Sequence, residues 1–240
     1  MVMPVTHPGT GSRELQIREG AVLLVDKPAG WTSFDVVNKV RHLFDVKKVG
    51  HAGTLDPSAT GLLILCTAGR TRDISAFMGL EKEYEAEMIL GARTQSFDAD
   101  TPFVEQKGAE GITEAMVLGV LREFVGPRQQ IPPMWSAAKV RGRRLYVHAR
   151  RGEVVERAPR EIVVSSIIPT QVAIPAVRFT VVCSKGTYIR SLVDEMGLQL
   201  GCGAYLAGLR RTRIGPYRIQ DALTLEGLIA GATAGRGAGA

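Results

Sequence analysis

An aspartate set among glycines in GHAGTLDPSATGLL, residues 50–63, is the residue of this sequence whose neighbours best suit it to chemistry. Pro57 disfavours the helical region for Asp56 and pushes it into an extended or turn conformation. Gly50, Gly53 and Gly61 give the segment a backbone that can approach a ligand closely. A carboxylate so placed can act as a nucleophile or a base. An Asp-Pro pair also caps turns and helices with Pro at the first helical position, so the pair alone does not decide. Glycoside hydrolysis would want two carboxylates flanking one bond, and this region supplies one. Metal chemistry finds little support. Cys66, Cys183 and Cys202 are scattered, and the four histidines form no His-Glu-x-x-His pair.

The elements that must position Asp56 are legible in the apolar pattern. Residues 21–26 (AVLLVD) read as a strand closed by a Pro-Gly turn signal. Thr32 or Ser33 then caps a helix whose stripe is Val36, Val40, Leu43 and Phe44. The apolar run 62–66 reads as a buried strand and the alternating 84–90 as a half-buried one. Thr113 caps a helix that stops at Gly126-Pro127, and strands follow over 162–168 and 177–183. A helix opened by Thr187, a strand over 204–214 and a short helix over 224–229 complete the pattern. Strands and helices do not alternate regularly, which predicts an α+β fold with a mixed sheet. Residues 1–19 read as a flexible tail, and 230–240, Gly/Ala-rich, as disordered.

The chain has 240 residues, is 45% hydrophobic and carries a net charge of +6. Those values describe a globular protein large enough to need no disulfide or metal staple. No secretion signal or membrane-spanning run is visible, so a cytoplasmic protein without membrane partners is expected. The charge is concentrated. Residues 139–160 hold eight basic side chains against two acids, and 205–218 hold four arginines and no acid, leaving the rest of the chain net acidic. With Trp135, Tyr146, Tyr205 and Tyr217 nearby, these blocks point to nucleic acid.

Five blocks in order give the sequence a family resemblance. GHAGTLDPSATGLL closely resembles the catalytic motif of the tRNA pseudouridine-55 synthases of the TruB type. GAVLLVDKPAGWTS (20–33), EKEYEAEMILGARTQSFDAD (81–100), QIPPMWSAAKVRGRRLYVHAR (130–150) and CSKGTYIRSLVDEMGLQLGCGAYLAGLRRTRIG (183–215) resemble further segments of that family. The resemblance implies the pseudouridine synthase fold, a mixed, largely antiparallel sheet flanked by helices. It also implies one catalytic domain over 20–229 with an RNA-binding insertion at about 128–152.

It implies roles as well. Asp56 is the catalytic aspartate, which either attacks C1′ of a flipped uridine or removes its 2′ proton. Arg190 is its ion-pair partner, and a guanidinium beside a carboxylate keeps it ionised. Tyr84 stacks on the uracil and Leu209 lines the other side of the base. His51 occupies the stack vacated by the flipped nucleotide. Lys27 and Tyr188 support the pocket, Asp98 aligns beside them, and Lys139, Arg143 and Arg144 clasp RNA. No cofactor and no metal are implied. The expected partner is the T-stem-loop of tRNA, bound by a monomer without a guide RNA. About 25 residues follow Gly215, too few for the C-terminal PUA domain of many bacterial members, since domains below roughly 40 residues seldom fold alone. A different reading, an RNA-binding or tRNA-folding factor on the same scaffold, predicts a dispensable Asp56.

Overall fold

A computed structural model of the chain describes residues 5, 11–140 and 142–237. In chain order it contains α1 (Gly11–Gly20), β1 (Val22–Lys27), α2 (Ser33–Phe44), β2 (Val49–His51), β3 (Thr60–Thr67), a 3-10 turn and α3 (Ile74–Gly79). Then come β4 (Lys82–Leu90), β5 (Ala92–Thr94), β6 (Phe103–Gln106), α4 (Glu114–Glu123), β7 (Gly126–Gln130), β8 (Lys139–Val140), β9 (Arg143–Arg144) and α5 (Leu145–Ala149). The remainder is β10 (Arg160–Ala173), β11 (Ala176–Cys183), α6 (Ile189–Gln199), β12 (Ala204–Ile214), β13 (Tyr217–Arg218), a second 3-10 turn, β14 (Leu223–Thr224) and α7 (Leu225–Gly237). The strands form a mixed, largely antiparallel sheet with helices on it, as the α+β reading expects. Two compact units divide the described residues. One runs up to Glu83 and resumes at Arg210; the other is Tyr84–Leu209, with the boundaries falling inside β4 and β12. No helix among the described residues is long and apolar enough to cross a membrane.

In the first unit β1 lies antiparallel to β3, with Val22 opposite Cys66 and Lys27 opposite Gly61. The parallel strand β14 flanks β1, and β3 takes the C-terminal end of β12 in parallel, Arg211 opposite Gly61. Successive side chains alternate between two buried faces. Leu23, Val25, Leu63 and Leu65 pack with Val36, Val40 and Phe44 of α2 and with Leu225 and Leu228 of α7. Val22, Leu24, Leu62 and Ile64 pack with Ala52, Phe77, Ile214 and Tyr217. Burial on both faces explains why these strands read as unbroken apolar runs.

Two stretches depart from the sequence expectation. Within the segment read as a flexible tail, Gly11–Gly20 is helical. It is held by the fully buried Ile17, by Arg18 Nε, which donates to the Phe44 carbonyl at 3.1 Å, and by the Thr67 hydroxyl, which donates to the Ile17 carbonyl and accepts from the Ala21 N–H. No amphipathic stripe announces such a helix. Within the segment read as disordered, α7 runs to Gly237, anchored by the buried Leu225, Leu228 and Ala232. Its alanines favour a helix once those anchors are in place. Residues 1–4, 6–10 and 238–240 lie outside the described residues.

In the second unit β12, β4, β11, β10 and β7 follow one another across the sheet. The inward residues of β4 are Tyr84, Ala86, Met88 and Leu90, the face its alternation predicts. Helix α6 buries Ile189, Leu192, Val193 and Met196 and also, unusually for charged groups, Arg190 and Asp194. Asp194 is answered by Arg93, which donates from Nε at 2.7 Å and Nη2 at 3.0 Å.

Gly61 opens β3 at φ +105°, and a Cβ there would lie 2.3 Å from the Arg211 carbonyl oxygen. Gly61→Ala is therefore expected to lower unfolding free energy by about 1–3 kcal/mol, through left-handed backbone strain and forced separation of β3 from β12. Urea denaturation checks this; an unchanged midpoint would contradict the close approach.

Candidate active site

Asp56 sits half-buried on the loop between β2 and β3, and that loop is fastened along its length. Thr32 caps α2 in a reciprocal box with Asp35, which leaves Ser33 free to face the loop. The Ser33 hydroxyl accepts from the Leu55 N–H at 2.9 Å and donates to the Leu55 carbonyl at 3.2 Å, one residue before Asp56. Lys27, with no exposed surface, donates from Nζ to the carbonyls of Pro28, Trp31 and Pro57 at 2.9, 2.7 and 3.2 Å. The Pro57 carbonyl accepts a second bond, 2.9 Å from the Gly30 N–H. Arg211, 1% exposed, reaches across the loop base. Its Nε donates to the Leu62 carbonyl at 2.7 Å and its Nη2 to the Gly53 carbonyl at 3.1 Å. Two buried cations thus hold the backbone on both sides of Asp56.

The same cations set the electrostatics. Burial, helped by the charge of Arg211 and opposed by Asp56 and Asp35, pushes the Lys27 ammonium down to about 8. Burial and Arg211 likewise push His51 below the usual histidine range, so its half-buried imidazole is neutral at neutral pH. Cys66 is driven the other way, to about 12 by burial, and is an inert core thiol.

In the second unit the buried guanidinium of Arg190 is gripped by three groups on two segments. Its Nη1 donates to the Ser96 carbonyl at 2.8 Å, its Nη2 to the Trp135 carbonyl at 2.9 Å, and its Nε lies 3.3 Å from Asp98 Oδ2. Asp98 is buried, accepts from the Ser96 hydroxyl at 2.5 Å, and through its carbonyl accepts from Thr94 at 2.6 Å. Burial raises its carboxyl above the ordinary aspartate range, against the pull of Ser96 and Arg190. Tyr84 is buried on β4, while Tyr188, at the N-cap of α6, and Leu209, on β12, are half-buried. Lys27, His51 and Asp56 thus belong to the first unit. Tyr84, Asp98, Tyr188, Arg190 and Leu209 belong to the second.

The two basic blocks fare differently. Lys139, Arg143 and Arg144 are all exposed on the β8–β9 hairpin, where Lys139 stands directly opposite Arg144. Arg141 lies outside the described residues. The second block is largely absorbed by the protein itself. Arg210 forks onto Asp26 at 2.7 and 3.1 Å, Arg211 is buried, and Arg213 meets Glu81 at 2.8 Å and Glu83 at 3.3 Å. Charge density in a sequence does not distinguish an arginine aimed at solvent from one already answered by an acid. Arg211, Ser33, Ser96 and Trp135 were not apparent as site residues from sequence. Only the adjacency of Arg211 to the motif residue Leu209 hinted at it. Among the described residues, no cluster of three His, Cys, Asp or Glu could hold a metal.

Because the folded-state pKa of Lys27 lies below its unfolded value of 10.5, the unfolded chain retains that proton longer. Wild-type stability relative to Lys27→Met is therefore expected to rise between about pH 8 and pH 10.5. Urea midpoints of the two proteins across that window measure it, and a difference independent of pH would contradict the burial of the ammonium.

Comparison with known proteins places these features. The family model for the N-terminal domain of TruB family pseudouridylate synthases matches residues 41–189, which include Asp56, Tyr84 and Asp98. The model for the C-terminal domain of tRNA pseudouridylate synthase B matches 190–235, beginning at Arg190. The chain is 52% identical over 212 residues to tRNA pseudouridine synthase B of Chlorobium luteolum, covering 86% of this chain and 73% of the relative. It is 45% identical over 218 residues to the protein of that name from Phocaeicola vulgatus, covering 88% and 93%. Among solved structures, a chain of the crystal structure of a Cbf5–Nop10–Gar1 complex superposes with a TM-score of 0.71 at 31% identity. That match spans 96% of this chain and 60% of the other. With Asp56 in a loop fastened at every turn and both family models laid end to end across it, the chain belongs to the TruB family of pseudouridylate synthases.

Proposed function

We propose that this chain converts uridine to pseudouridine at position 55 in the T-loop of tRNA, with Asp56 as the indispensable carboxylate. The observation that carries the reading is the fastening of the Asp56 loop by Lys27, Ser33 and Arg211, in a chain 52% identical to a tRNA pseudouridine synthase B. The reaction is an isomerisation. The N1–C1′ bond breaks, the uracil turns within the pocket, C5 bonds to C1′, and the C5 proton leaves as N1 gains one. Asp56 opens the sequence by attacking C1′ or by taking the 2′ proton. Either step needs an ionised carboxylate delivered at a fixed place, which a pinned loop supplies at little further entropic cost.

The remaining roles follow the same reading. Arg190 is assigned as the ion-pair partner of Asp56, Tyr84 and Leu209 enclose the flipped base, and Lys27 and Tyr188 support the pocket with Asp98. A neutral imidazole suits His51 to fill an emptied stack, where a charged ring would have to be desolvated. Extruding a base costs a few kcal/mol, which binding elsewhere on the RNA must offset. The hairpin of Lys139, Arg143 and Arg144 is suited to that. Like charges directly across a strand pair repel, and phosphate between them relieves the repulsion. The protein works as a cytoplasmic monomer over a catalytic domain of residues 20–229, reading the folded tRNA without a guide RNA.

Purified protein and an unmodified tRNA transcript, with no metal, nucleotide or guide RNA added, are expected to yield pseudouridine at position 55. Asp56→Asn is expected to abolish product while tRNA binding persists; product from that variant would overturn the assignment. Replacing Arg143 and Arg144 together by Ala is expected to weaken tRNA binding about tenfold or more. It should also reduce the slope of log affinity against log salt by about 1 to 2. A slope equal to wild type would remove the hairpin from the RNA interface.

A further inference from the structure

Gln130 ends β7, where the basic insertion leaves the sheet, and is only 2% exposed. Its side-chain amide is used at both ends on one residue. Oε1 accepts from the Tyr188 backbone N–H at 2.8 Å, and Nε2 donates to the Tyr188 carbonyl at 3.0 Å. Tyr188 is extended there, at φ −99° and ψ 107°, and as the N-cap of α6 it supplies no side-chain cap of its own. An amide presents a donor and an acceptor side by side, so Gln130 serves this backbone as a neighbouring strand would. Arg190 follows two residues later, and its Nη2 donates to the carbonyl of Trp135, five residues beyond Gln130. The root of the insertion is therefore tied twice to the segment 188–190, by Gln130 onto Tyr188 and by Arg190 onto Trp135. Arg157 adds a third brace, donating to the Pro132 carbonyl at 3.1 Å.

We propose that Gln130 is a positioning residue for the reaction, coupling the seat of the RNA-gripping insertion to the helix start that carries Arg190. It touches no substrate; it acts through the backbone of Tyr188 and hence through the placement of Arg190. The role rests on the proposed pseudouridine synthase function. Removing the amide leaves the Tyr188 N–H without its acceptor and the Tyr188 carbonyl with only the Leu192 N–H at 3.2 Å, and the segment shifts to recover the lost bonds. Displacements of about 1 Å near a reacting centre cost roughly 100-fold in rate, whereas tRNA contacts made by the exposed hairpin are untouched.

The test uses the full chain with a tRNA transcript and the variant Gln130→Met, close to glutamine in volume. The single-turnover rate of pseudouridine formation is expected to fall about 10- to 100-fold, with tRNA affinity within about twofold of wild type and with faster hydrogen exchange at the Tyr188 amide. If Gln130→Met fails to fold, Gln130→Glu takes its place. It keeps an acceptor for the Tyr188 N–H but loses the donor, and is expected to slow the reaction without weakening binding. A folded variant with the wild-type rate, or one whose whole deficit lies in tRNA affinity, would overturn the proposal. A wild-type protein that forms no pseudouridine would overturn the functional reading itself. A Tyr188 amide exchanging equally in Gln130→Met and wild type would overturn the clamp whatever the activity.

Discussion

The grip of the buried Arg211 guanidinium on loop carbonyls is the interaction on which the placement of Asp56 depends. A cation withdrawn from water is costly unless its hydrogen bonds are replaced, and here the replacements are backbone carbonyls of the loop that carries Asp56. The arrangement works in both directions. The carbonyls of Gly53 and Leu62 satisfy the charge, and the charge fixes where those carbonyls lie. Gly53 and Gly61, at φ +100° and +105°, let the backbone come close enough for one arginine to span both sides of the loop. Lys27 repeats the device from β1, with three carbonyl acceptors in place of two. Burial and the charge of Arg211 also push the His51 imidazole down from its ordinary value.

The second unit solves a similar problem with an acid. Arg190 is buried like Arg211, though slightly less deeply, yet it faces Asp98 as well as two carbonyls. Asp98 is in turn held by the Ser96 hydroxyl and the Asp100 N–H. A guanidinium with five donors in a rigid plane can meet these acceptors and retain directions for others, which an ammonium cannot. Buried arginines in both units thus turn loops, ordinarily the mobile parts of a fold, into fixed platforms.

How legible this was in the sequence depended on whether a residue's role followed from its own periodicity. Strands β1, β3, β4, β11 and β12 declared themselves by apolar runs or strict alternation, and α2 and α4 by their Thr caps and apolar stripes. Helix α1 could not, because what holds it besides the buried Ile17, bonds to Thr67 and to the Phe44 carbonyl, lies far along the chain. The part of α7 beyond the helix expected over 224–229 was masked by Gly/Ala composition that reads as low complexity until Leu225 and Leu228 find a core. Among candidate site residues, Asp56, Tyr84 and Arg190 could be named from sequence because they lie inside recognisable motifs. Arg211 was counted instead as one more charge in a basic block, because its acceptors are main-chain carbonyls, which leave no mark on composition. The net charge of +6 reads differently once Arg210, Arg211 and Arg213 are consumed internally. Among the described residues of the other basic block, Lys139, Arg143, Arg144, Arg150 and Arg151 remain exposed.

The hold of Arg211 on the Asp56 loop is read out by hydrogen exchange across residues 52–59 in Arg211→Lys. Lysine keeps the charge but cannot offer two fixed nitrogens to two separate carbonyls. Loss of one charge-assisted bond is worth enough to raise loop exchange by about tenfold or more, with β10 and β11 unaffected and pseudouridine formation falling with it. Loop exchange equal to that of wild type would contradict the account.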